Sequence, residues 1–125
     1  MKFARAVFYF AGAWGVVVLT PLYFVFDYAG RQNPPPITHP EFYFGFIGVA
    51  VAWQLAFFVI GSDPVRFRIM MLPAVLEKFG HVITMTVLYL QGRMNSQQLA
   101  VNMPDLVWGM LFVAAFARTS VSGDD

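Results

Sequence analysis

No cysteine occurs among the 125 residues. That single absence excludes disulfides, thiolate metal sites, iron–sulfur clusters, thiol catalysis and palmitoylation, and leaves the redox compartment open. Charge is nearly as scarce: only 12% of the residues are Asp, Glu, Lys or Arg, and the formal net charge is +1. With no basic stripe or dense Lys/Arg run there is no electrostatic footprint for nucleic acid, so no nucleic-acid partner is expected. Two histidines are the whole imidazole supply, and no zinc-ligand spacing is present. They are the minimum for a bis-imidazole haem, but His39 falls in a loop and His81 inside a helix, which leaves only a His81 pair across a dimer. Neither metal nor cofactor is expected. Gly-rich phosphate loops, nucleophile elbows and Walker motifs are missing too, so no catalytic residues are assigned.

What fills the space is apolar: 58% of the residues are hydrophobic and the mean hydropathy is +0.62. These residues are gathered into blocks separated by short polar or proline-bearing stretches, which a soluble core does not require. The pattern predicts an all-α polytopic membrane protein, one domain over residues 1–125 forming an antiparallel four-helix transmembrane bundle, with helices over about 6–26, 42–61, 67–91 and 104–119. A cleaved signal peptide is the rival reading of the first block, given Lys2, Arg5 and Ala11-Gly12-Ala13. The apolar run before that site is too short, and it continues well beyond it.

Within this frame Pro21 should loosen the last turn of helix one. Pro34-Pro35-Pro36 should hold the first connection extended, and Thr38-His39-Pro40-Glu41 reads as a helix start. On helix two, Gly48, Ala52 and Ala56 recur every four residues, a register that lets another helix approach closely. Helix three can be drawn in two registers. Entry at Phe67 puts Glu77 about 15 Å deep, whereas entry at Pro73 leaves it about one turn inside, with Lys78 able to snorkel. The fourth block has only 12 uninterrupted apolar residues, Leu106 to Ala117, and a full span there requires some mismatch. The tail from Ser120 should fray. Lys2, Arg5, Arg66, Arg68 and Arg118 fall on one side and Arg31 and Arg93 on the other, which predicts both termini in the cytoplasm.

The segment with chemical content is Glu77-Lys78-Phe79-Gly80-His81, three ionisable side chains within five residues of an apolar helix. Charge in hydrocarbon costs at least about 2.5–3.5 kcal/mol per group, so such residues face a protein interior, a wet cavity or one another. Glu77 and His81 are four apart and share a helix face with Thr84, while Lys78 is turned about 100° away. Gln54 falls at a similar depth on helix two. Together with Asp27 these residues outline a polar track; its structural alternative is interhelical glue at Gln54 and an interfacial Asp27–Arg31 pair. Trp14 and Trp53 lie near the middles of their helices, where they either line an apolar pocket or pack the core. Most of the remaining aromatics fit interfacial belts.

Three stretches carry a family resemblance: Thr20-Pro21-Leu22-Tyr23-Phe24-Val25-Phe26-Asp27, Trp53-Gln54-Leu55-Ala56-Phe57-Phe58-Val59-Ile60, and Pro73-Ala74 followed by His81 and Thr84-Met85-Thr86. They resemble landmarks of the EXPERA-domain membrane proteins. The resemblance implies a four- or five-helix membrane bundle with an intramembrane cavity for sterol-like molecules, Asp27 at the pocket's end and Gln54 on its second helix. The histidine and glutamate pairs of the sterol isomerases in that family have no counterpart here, so isomerase chemistry is not implied.

The resulting expectation is a non-enzymatic membrane protein that holds a lipid-like or other apolar ligand, with Asp27, Gln54, Glu77, His81, Thr84, Trp14 and Trp53 as ligand-binding residues and membrane lipids around it. Two other classes stay open. One is an accessory subunit, or homo-oligomer, in which Glu77 and Lys78 pair with a neighbouring chain; the other is a proton-coupled carrier or membrane enzyme working through Glu77 and His81.

Overall fold

The computed structural model describes residues 2–32 and 37–119. The triple proline and the tail from Ser120 lie outside them. The protein is an all-α four-helix bundle. Helix α1 (Lys2–Leu19) gives way at Pro21, which has no N–H to donate, to a 3-10 turn over Thr20–Phe24. A short α2 (Phe26–Gln32) precedes α3 (Pro40–Ser62), which carries its proline in the first turn. Another 3-10 turn, Arg68–Met70, leads into α4 (Met71–Leu90), and α5 (Ser96–Asn102) and α6 (Pro104–Arg118) follow.

These elements make four spans of 23 residues each: Lys2–Phe24, Pro40–Ser62, Arg68–Leu90 and Ser96–Arg118. Each is about 35 Å long, enough to cross a hydrocarbon core of about 30 Å. The fourth begins well before the expected residue 104. Asn95 and Gln98 close a reciprocal capping box, with Asn95 Oδ1 accepting from the Gln98 N–H at 2.8 Å and Gln98 Oε1 from the Asn95 N–H at 3.1 Å. The helix passes through a single turn residue at Met103 and continues from Pro104. The third span starts at Arg68, so Glu77 and Lys78 sit close to its middle. It closes at Gly92, whose φ of +76° suits a residue without Cβ and lets the Arg93 N–H reach Leu88 O at 2.9 Å.

The spans pair as two hairpins. The first lies along the second and the third along the fourth; between the hairpins the first meets the fourth, while the second and third touch only sparsely. The apolar core lies at one end of the bundle. Phe8 of α1 stacks on Phe112 of α6 with ring centroids 4.3 Å apart, and Phe57 of α3 meets Phe112 edge-on at 4.9 Å. Ala4, Val7, Ala11, Ile60, Met71, Ala74 and Ala115 complete this cluster.

The same end gathers Arg5, Arg66, Arg68 and Arg118. Arg5 donates to Ser62 O at 3.4 Å, and Arg68 donates twice to Phe116 O, at 3.2 and 3.0 Å, while lying over the Phe116 ring. They satisfy carbonyls left over at the ends of α3 and α6. Towards the opposite end each hairpin is tied within itself: Tyr43 Oη donates to Leu22 O at 2.6 Å, and α5 packs on α4. There the two hairpins separate.

The outward face carries exposed Phe10, Val17, Leu76, Ile83, Val107 and Met110, an apolar exterior suited to lipid contact. Gly48 and Ala52 of helix two are exposed on this exterior as well, and Gly45 has open space where a Cβ would be. The close approach of spans one and two comes from α1 instead. A Cβ on Gly15 would lie 1.9 Å from Gln54 Oε1, so glycine lets the amide occupy that space.

Candidate functional site

Where the hairpins separate, just beyond the aromatic core, they enclose a cavity of about 240 Å³. All four spans contribute to it. Its apolar wall is formed by Trp14, Val18, Leu19, Leu22, Phe46, Ala50 and Val101; its polar groups are Gln54, Glu77, Lys78, His81, Asn102 and Asp105. Two aromatic pairs bridge the hairpins, Trp14 with Trp108 (6.5 Å between centroids) where span one faces span four, and Phe46 with His81 (6.4 Å) where span two faces span three.

Lys78 is the centre of the polar group. It is only 4% exposed, and its ammonium lies 3.3 Å from Asp105 Oδ1, 3.6 Å from Glu77 Oε2 and 5.3 Å from the centroid of the Phe57 ring. A lysine buried in an apolar bundle requires such partners, since the ammonium loses its hydration and recovers it only through carboxylates and the ring face. Asp105 is held at the first turn of α6, where the free N–H groups favour a negative side chain.

Around this ion cluster the hydrogen bonds fix which way the amides point. Asn102 Nδ2 donates to Gln98 O at 2.8 Å, which turns Asn102 Oδ1 towards His81 Nε2, 2.9 Å away. The proton of the His81 ring in that contact therefore sits on Nε2. Gln54 is 1% exposed and donates from Nε2 to Ala50 O at 2.8 Å, which leaves Oε1 over Gly15. Oε1 accepts no hydrogen bond, and neither does Glu77 Oε2. Glu77 Oε2 is met by the Lys78 ammonium at 3.6 Å, so Gln54 Oε1, packed over Gly15, is the acceptor beside the cavity left without a partner.

The chain matches no protein-family model, no curated protein and no solved structure. The chemistry of the cavity itself must carry any functional reading.

Of the residues that the sequence marked, Trp14, Gln54, Glu77 and His81 line the cavity together. The other three do not. Asp27 lies in α2 beside Arg31, around a separate small recess, so the polar track does not extend to it. Thr84 is exposed and bonds back to Gly80 O at 2.8 Å, because three residues beyond His81 the helix face has already turned outward. Trp53 packs beside Phe57 at the apolar core, with ring centroids 6.3 Å apart. Lys78, read from the sequence as a snorkelling side chain, points inward, and Asn102 and Asp105 were missed. A fourth helix starting at Pro104 makes Asp105 an ordinary first-turn acid; the Asn95-Ser96-Gln97-Gln98 capping signature was the signal that the span starts earlier and carries this acid inside.

Proposed function

We propose that this is a non-enzymatic integral membrane protein that binds a lipid-like ligand in the cleft between its two helical hairpins. The observation that carries this reading is the cavity: apolar walls from spans one, two and four, and a polar floor of Gln54, Glu77, Lys78, His81, Asn102 and Asp105. A bundle packed only for its own stability would fill that space, because interiors tolerate few voids larger than a water molecule. The EXPERA-like stretches favour the same class of function through Gln54 alone, since Asp27 lies apart from the cavity.

The accessory-subunit reading loses its motivating feature, since Glu77 and Lys78 pair within the chain and with Asp105. In the proposed topology both termini and the Asp63–Phe67 connection face the cytoplasm, as Lys2, Arg5, Arg66, Arg68 and Arg118 gather at that end.

The test is extraction of the protein in mild detergent followed by native mass spectrometry. A bound lipid-sized mass is expected in the wild type. Ala50→Phe, which fills the wall beside Gln54, is expected to lose it. A wild-type protein with no adduct and no uptake of added lipid, or an Ala50→Phe protein that keeps its adduct, would overturn the reading.

A further inference from the structure

No dense Lys/Arg run exists along the chain, yet the fold assembles a basic rim in space. Lys2 and Arg5 open span one, Arg66 and Arg68 lie where span two turns into span three, and Arg118 closes span four. All five meet at the end of the bundle that holds the aromatic core. Among the described residues, the one carboxylate at that end is Asp63, whose Oδ1 accepts from the Arg66 backbone N–H at 3.3 Å.

Basic residues at span ends orient a chain during insertion and need no further role for that. These arginines are also held in place, which insertion does not require. Arg68 donates Nε–H and Nη2–H to Phe116 O and lies 3.8 Å from the centroid of the Phe116 ring. Arg118 lies over the Phe3 ring at 4.3 Å, Arg66 over the Phe67 ring at 5.2 Å, and Arg5 donates to Ser62 O at 3.4 Å. Every one of these partners is neutral, and among the described residues no carboxylate forms an ion pair with any of the four guanidinium groups. A carbonyl or a ring face fixes a guanidinium without cancelling its charge, and even Arg68 spends only two of its five N–H donors in this way.

We propose that this rim binds the phosphate of an anionic phospholipid, centred on Arg68 and Arg118 beside the last turn of α6. Guanidinium groups match phosphate oxygens in pairs, their fixed positions reduce the ordering cost of binding, and basic clusters where spans meet the cytoplasmic surface suit lipid headgroups. The neighbouring exterior selects a lipid over a free anion: Ile69 and Leu72 on span three and Met110 and Val113 on span four are exposed and apolar, which gives the acyl chains a surface to lie along. The aromatic core separates this rim from the cavity, so the proposal does not rest on the cavity reading.

The test uses the purified full chain in a neutral detergent. Washing at about 1 M salt, where the screening length is about 3 Å, strips lipid held by surface charge. The protein is then returned to low salt and titrated with dioleoylphosphatidylglycerol or dioleoylphosphatidylcholine, with adducts counted by native mass spectrometry. The two lipids have the same chains, and choline cancels the phosphate charge in the second. The glycerol lipid is expected to half-saturate at a concentration at least about tenfold lower, since one basic residue near a charged surface is worth about fivefold and two act here. Arg118→Gln should weaken it by about fivefold and leave the choline lipid unchanged, whereas Arg93→Gln, which removes the same charge at the opposite end, should change neither. Equal binding of the two lipids by the wild type, a preference that survives Arg118→Gln, or an equal loss in Arg93→Gln would overturn the proposal.

If Arg118→Gln does not fold, Arg66→Gln serves in its place with the same expected loss, and an undiminished preference there would overturn the rim. Inorganic phosphate should not displace the lipid; displacement would make this a free-anion site and overturn the lipid assignment. Ala50→Phe, which fills the cavity, should keep the preference. A preference lost in that variant would place the lipid in the cavity, overturning the rim while leaving the cavity reading intact.

Discussion

Replacing Lys78 with methionine keeps the length and apolar stem of the side chain and removes only the ammonium. Glu77 and Asp105 are then left in the bundle without their shared cation. At an effective dielectric of about 20, an ammonium 3.3 Å from one carboxylate and 3.6 Å from another contributes about 5 kcal/mol of attraction to each. Much of that is cancelled by the desolvation of three charges. The cost of Lys78→Met is not this net value, however, but the cost of stranding the two acids, which for a buried pair is about 3–5 kcal/mol. The side chains of Glu77 and Asp105 are 21% and 24% exposed, and through the cavity they reach some polarisable surroundings, so about 3 kcal/mol is expected. Reversible unfolding in mixed micelles, followed by helical circular dichroism, measures it. The triple variant Lys78→Met/Glu77→Gln/Asp105→Asn removes all three charges and should recover most of the loss. A Lys78→Met protein as stable as the wild type would refute the ion cluster, as would a triple variant no more stable than Lys78→Met.

Four other outcomes follow from specific contacts. Gly15→Ala places a Cβ 1.9 Å from Gln54 Oε1, so the amide must shift; a loss of about 1–3 kcal/mol is expected in the same unfolding assay, and no loss would mean that spans one and two are not in this register. Phe112→Ala opens a void between Phe8 and Phe57 and should cost about 3 kcal/mol, read as a lower unfolding midpoint, whereas Phe24→Ala on the exposed exterior should change it little. Asn95→Ala removes the cap of α5 at about 1 kcal/mol; faster hydrogen exchange confined to residues 96–102 is the expected signature, and global acceleration would contradict it. His81→Phe cuts the link to Asn102 without emptying the ring's space, so exchange in α5 should again rise, with α1 and α3 unaffected.

The outline of the bundle was legible because its cause is local. Long apolar blocks, the arginines at their ends and the prolines at helix starts act within a few residues of themselves, and the four spans follow from them. The same locality sets the limits. Pro104 and the apolar run after it mark a helix start by themselves, while the capping box that begins the span, at Asn95 and Gln98, lies one polar stretch upstream. The stripe of Gly48, Ala52 and Ala56 had the right spacing for close packing, yet spacing says which residues share a face and not which face turns inward. Lys78 shows the limit most clearly: grouping Glu77 with His81 by helical period was sound, but a second carboxylate from another span drew the neighbouring lysine to the centre.

The sequence by itself determined an all-α chain with four spans apolar enough for a bilayer, and one span carrying charge that demanded a partner. It could do so because hydropathy and helical period are properties of a single segment. Only the tertiary structure decided that the partner is Asp105, that the apolar core gathers at one end of the bundle with a cavity just beyond it, and that Trp14, Gln54, Glu77 and His81 line that cavity together. Those facts depend on how two hairpins lean against each other, and that angle is set by contacts between residues as far apart as Phe8 and Phe112.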